Sequence, residues 1–73
     1  MTPRRFIESA GIEEAKRVSV AAGSSYPYFS QIAYGHRRAS PGLAERLAAE
    51  SAGRMTELEI LYPERYQDDE AAA

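Results

Sequence analysis

No cysteine occurs in this chain, which excludes disulfide staples and thiolate-bound zinc alike. The single histidine, His36, has no second residue of metal-ligand type near it in sequence, so neither a metal nor any cofactor is expected. The longest apolar runs are only a few residues, far short of the ~20 needed to cross a bilayer. Thr2-Pro3-Arg4-Arg5 is not followed by the apolar stretch of a secretory signal. Nor is there a phosphate-cradling glycine loop, a carboxylate dyad or a nucleophile–base pair, so catalysis is not expected. These absences leave a soluble, cytoplasmic, non-enzymatic protein as the expectation.

What is present fits one small domain. Seventy-three residues lie near the lower limit for a core that stands without metal or disulfides. Residues 1–66 make up that domain. Residues 67–73, QDDEAAA, have nothing to bury and are expected to form an acidic, alanine-rich disordered tail.

The formal net charge is −2, but it divides by position. Residues 1–56 carry eight Lys/Arg against five Asp/Glu, a local balance of +3, whereas residues 57–73 carry one Arg against six acids, a balance of −5. Screening cuts interactions beyond ~8 Å at physiological salt, so the local field decides whether an anion is attracted. An acidic C-terminal segment therefore leaves room for a basic face elsewhere.

The chain reads as all helix, in about five short pieces. Thr2-Pro3 and Ser40-Pro41 each place a hydroxyl at an N-cap and proline at the first helical position, where its missing N–H costs nothing. Ser25 follows the Gly23 turn as a cap, and Thr56 with Glu59 forms a capping box ahead of Leu58, Ile60 and Leu61. Gly11, Gly35 and Gly53 are placed to close helices, and Pro63 ends the last one. Apolar residues recur at spacings of three and four: Phe6, Ile7, Ala10; Ala15, Val18, Ala22; Phe29, Ile32; Leu43, Leu47. Leu58, Ile60, Leu61 and Tyr62 remain as surplus apolar residues for such a small core and are the expected dimer contact.

Residues 15–34 form the most informative unit. Val18, Ala22, Phe29 and Ile32 make the inner seam of a helix pair, and Gly23 supplies the positive φ of a tight turn between them. Ser19 is small enough for the second helix to cross closely. With Phe29 and Ile32 inward, Tyr26, Pro27, Ser30 and Gln31 are expected outward, where they can meet base edges. An amide such as Gln31 pairs bidentately with adenine, Ser30 donates or accepts, and Tyr26 with Pro27 packs on a thymine methyl. Ser25, Tyr28, Tyr34, His36, Arg37 and Arg38 are placed for backbone phosphates, which hydroxyl, imidazole and guanidinium groups bind without reading sequence.

The run Tyr28-Phe29-Ser30-Gln31-Ile32-Ala33-x-Gly35-x-Arg37-Arg38-x-Ser40-Pro41-x-Leu43-Ala44-x-Arg46-Leu47 resembles the Cro/repressor helix-turn-helix superfamily. The later Gly53-Arg54-Met55-Thr56-x3-Ile60-Leu61-x-Pro63 resembles the close of its Cro-like, YdaS-like branch in phages and prophages. The resemblance covers residues 5–66. Lys16, Ser24, Gly53 and Tyr62 depart from the residues usual there. The resemblance implies a compact lambda-repressor-like bundle with a central helix-turn-helix. It also implies a homodimer on a palindromic double-stranded DNA operator, repressing transcription in the bacterial nucleoid with residues 25–34 in the major groove. Two other readings stay open: an antitoxin that binds its promoter and a toxin partner, and a helical adaptor that does not bind DNA.

Overall fold

A computed structural model of the chain describes residues 1–66, so the acidic segment 67–73 and the tail expected there lie outside the described residues. Five α-helices follow one another: α1 Pro3–Ala10, α2 Ile12–Ala21, α3 Tyr26–Ala33, α4 Pro41–Glu50 and α5 Glu57–Leu61, then a 3-10 turn at Pro63–Arg65. No strand occurs among the described residues, and the protein is a small all-α bundle.

Local chemistry sets where these helices begin. The side-chain oxygens of Thr2, Ser25, Ser40 and Thr56 accept the backbone N–H groups of Arg5, Tyr28, Leu43 and Glu59 at 3.3, 3.3, 3.2 and 3.2 Å. Each such cap stabilises its helix by about 1 kcal/mol. At Thr56 the bond is returned, the Glu59 carboxylate accepting the Thr56 N–H at 3.0 Å. No hydroxyl caps α2. Its first turn carries Glu13 and Glu14, whose charge complements the helix dipole.

Packing then follows from the apolar stripes. Phe6, Ala15, Val18, Ala22, Phe29, Ile32, Leu47, Met55 and Ile60 form one continuous core. Phe6 of α1 meets Phe29 of α3 edge to face, with ring centroids 6.5 Å apart and planes at 85°, which pins the third helix to the first. Ser19 of α2 is buried, and its hydroxyl donates to the Ala15 carbonyl at 2.6 Å, so it needs no partner outside its own helix.

Two turns close in the same way. After α2, the Gly23 and Ser24 N–H groups donate to the Val20 and Ser19 carbonyls, both at 2.9 Å, with Gly23 at φ +81°. After α4, Ala52 and Gly53 donate to Ala49 and Ala48, both at 3.0 Å. This pairing satisfies carbonyls that a helix end would leave bare. The cap expected at Gly53 starts one residue earlier, because Ala52 itself adopts φ +56°. A side chain in that left-handed conformation crowds its own carbonyl at a cost of about 1–2 kcal/mol.

The structure corrects the expected dimer contact in part. Ile60 is buried in the core and cannot meet a second copy, and Leu61 packs partly against that core. Leu58 and Tyr62 are exposed at 54 % and 40 %. Five residues do not complete two turns, so α5 offers one fully buried position, and Ile60 occupies it.

Candidate nucleic-acid interface

The α2–turn–α3 unit matches the expected seam. Val18, Ala22, Phe29 and Ile32 are all buried, and Ala33 joins them. Two of these, Phe29 and Ile32, orient α3 along its length, since burying each stabilises by roughly 1.5–3 kcal/mol relative to leaving it in water. Arg46 of α4 pins the turn from outside the pair, its Nε donating to the Ala22 carbonyl at 2.8 Å. Sequence spacing does not predict this contact, which joins residues in different helices.

The outward face of α3 differs from the expected one at one edge. Pro27 and Gln31 are exposed, Ser30 is half-buried on the flank, and Tyr34 at the helix end is 48 % exposed. Tyr26, expected among the outward residues, is half-buried and packs against the core. The reason is helical geometry: three residues before Phe29 and seven before Ala33, Tyr26 stands nearest the buried stripe. Tyr34 takes its place on the outer side, in line with Pro27 and Gln31.

Arginines brace this face. The Arg37 guanidinium lies 5.3 Å from the Tyr28 ring centroid, and its Nε donates to the Gln31 side-chain oxygen. An amide oxygen has two lone pairs, so Gln31 keeps one acceptor position and both N–H donors for a further partner. Arg4 of α1 lies 5.6 Å over the Tyr34 ring, bringing a cation to the end of α3 from a different helix. Such stacking orients a guanidinium while leaving its N–H edge free to bind an anion.

The remaining residues expected at phosphates divide into two groups. Ser25 caps α3 as an acceptor, which leaves its hydroxyl hydrogen available, and His36 is exposed in the loop. Arg38 is already engaged. Its Nη1 and Nη2 form a two-point fork with the Glu64 carboxylate at 3.0 and 2.9 Å, and Nη1 also donates to the Leu61 carbonyl at 3.0 Å. That hydrogen bond holds the Glu64 carboxyl below its usual value and raises Arg38 above its own. Arg4, Arg37, Arg38 and Glu64 line a groove of about 300 Å³ beside the end of α3, with Ile32, Ala33, Ile60 and Pro63 also along it. Glu64 carries no signal in the sequence, and Arg4 reads there as part of a solvated face with Arg5, since each meets its partner across a long stretch of chain.

Among the described residues no group of three or more His, Cys, Asp or Glu side chains is placed to hold a metal. No helix among them is long and apolar enough to cross a membrane. Comparison with protein-family models, curated proteins and solved structures finds no match to this chain.

Proposed function

We propose that this protein is a sequence-specific double-stranded DNA-binding transcriptional regulator, a Cro-like repressor in type, which inserts α3 into the major groove of a palindromic operator. One observation carries the reading: Phe29 and Ile32 are buried while Pro27 and Gln31 face out beside Arg37. A major groove admits one α-helix, and an outward amide flanked by guanidinium groups supplies base readout and phosphate grip together. Gln31 reads adenine, with Pro27 and Ser30 beside it. Tyr34, Tyr28, Ser25, His36 and Arg37 contact the backbone.

A homodimer would read two half-sites about one helical turn, ~10 base pairs, apart. Exposed Leu58 and Tyr62 supply apolar surface for the second copy. The same surface equally favours a second reading, in which the chain is an antitoxin holding a partner protein there. Sedimentation at micromolar concentration separates them: a dimer that becomes a monomer on Leu58→Glu supports the first, and a monomeric wild-type protein contradicts it.

Selection of bound fragments from a random DNA pool tests the function itself. An enriched two-fold symmetric motif is the expected result. Indifference to any duplex in a low-salt gel shift would overturn the reading in favour of an adaptor that does not bind DNA.

A further inference from the structure

We infer that the groove beside the end of α3 is a seat for a backbone phosphodiester, and that the Glu64 carboxylate occupies its Arg38 position until nucleic acid displaces it. The inference rests on the DNA-binding reading for the identity of its ligand, but the seat itself can be tested without DNA. Three cations line the groove, Arg4, Arg37 and Arg38, against one lining carboxylate, Glu64. Arg4 also bridges Glu8 at 3.8 Å, a loose pair with both side chains at least half exposed. The lining charge therefore favours an anion even with Glu64 in place.

The geometry of the Arg38–Glu64 contact is the strongest indication. A two-point fork on a carboxylate is the same arrangement by which arginine takes two oxygens of a phosphate. The Leu61 carbonyl holds Nη1 independently of Glu64, so the guanidinium keeps one anchor when the carboxylate leaves. Both partners are more than half exposed, at 64 % and 53 %, so the pair can open without uncovering core. An exposed ion pair adds little to folding, and exchange for a doubly contacted phosphate is accordingly easy. Glu64 thus lowers affinity for every nucleic-acid sequence alike and raises the relative weight of base contacts along α3.

Glu64→Gln, Arg38→Ala and the double variant form the test, with Glu57→Gln as a control of equal charge change at another site. On a random-sequence duplex of ~20 base pairs, Glu64→Gln should bind about two- to fivefold tighter at low salt. The plot of log affinity against log salt should keep nearly the same slope, because Arg38 contacts the same phosphate in both proteins once Glu64 is displaced. That gain should vanish in the Arg38→Ala background, because the effect acts through Arg38. A gain that persists there, or that Glu57→Gln matches, reports only general repulsion and overturns the inference.

Inorganic pyrophosphate followed by NMR at the Arg38 Nε–H supplies the arm without DNA. A shift that saturates at lower pyrophosphate in Glu64→Gln than in wild type supports the seat even if duplex binding fails. An unmoved Arg38 signal in both proteins overturns the seat, and leaves the DNA-binding reading standing if the duplex still binds.

Discussion

The α2–α3 pair and the α4–α5 pair are built by the same local rules and present opposite chemistry. Both close their first helix with two backbone bonds at a left-handed residue, and both open the second with a hydroxyl cap, Ser25 or Thr56. Both bury a large residue of the second helix, Phe29 in α3 and Ile60 in α5. Beyond that the outward residues diverge. α3 offers Pro27, Gln31 and Tyr34 with Arg4 and Arg37 stacked alongside, whereas α5 offers Glu57 and Leu58 and is followed by Glu64. A helix, a turn and a second helix therefore carry no function by shape alone. The first pair has two guanidinium groups alongside its outward residues, whereas the single guanidinium beyond α5, Arg65 over the Tyr62 ring, is next in sequence to Glu64.

The largest way to break this comparison is at the two buried anchors. Phe29→Ala should destabilise the fold by about 3–5 kcal/mol and Ile60→Ala by about 2–5 kcal/mol, read from urea unfolding midpoints. Leu58→Ala, two residues from Ile60 and exposed, should change stability by no more than about 0.5 kcal/mol. Equal losses for Leu58→Ala and Ile60→Ala would mean that α5 is turned differently on the core.

A smaller change falls on binding rather than folding. Gln31→Ala should weaken binding to a selected operator by roughly 1–3 kcal/mol while leaving random duplex nearly unaffected. Equal losses on both duplexes would remove Gln31 from base readout. Replacing Glu57 on the acidic pair should leave that preference for the operator intact.

The two turns separate more finely. Both φ values are positive, but one belongs to glycine and the other to alanine. Gly23→Ala should cost about 1 kcal/mol from backbone crowding alone, since an added Cβ would meet no atom within 4 Å. Ala52→Gly should stabilise by about 0.5–1 kcal/mol, the relief of the left-handed residue less the added freedom of the unfolded chain. Thermal melting of both variants checks the pair, and a destabilised Ala52→Gly would contradict the strain at that turn.

The mildest effect is acid sensitivity. Burial pushes the Glu59 carboxyl up, but bonds from the Met1 amino group and from the Thr56 N–H and hydroxyl outweigh it, and the carboxyl ends below its usual 4.5. Glu14 is lowered chiefly by its hydrogen bond from Arg17. A carboxyl lowered by folding contributes stability above its unfolded pKa and loses it as pH falls through the folded value. The urea midpoint should therefore hold steady above about pH 5 and decline below 4.5, with a smaller decline in Glu59→Gln. A midpoint that rises on acidification would reverse the sign assigned to Glu59.

Legibility in the sequence followed the range of the interaction. Caps at Thr2, Ser25, Ser40 and Thr56 act within three residues, and the spacing of Val18, Ala22, Phe29 and Ile32 states its own periodicity, so the helices and the seam were readable. Tyr26 reads as outward in the sequence because two anchors define a stripe without its edges, and the burial of Ala33 shows which side the stripe widens toward. Ile60 reads as surplus apolar surface in the sequence because α5 is too short for any period to show. The Arg38–Glu64 fork and the Arg4–Tyr34 stack join residues 26 and 30 positions apart, and only packing brings them together.

The most direct test of these two faces is a nitrogen–proton NMR titration of the full chain with a random duplex at low salt. Amide signals of residues 26–38 should move, apart from proline, together with Arg4, while those of residues 57–62 stay in place. Shifts confined to 57–62, or none in either segment, would contradict the assignment of α3 to the DNA.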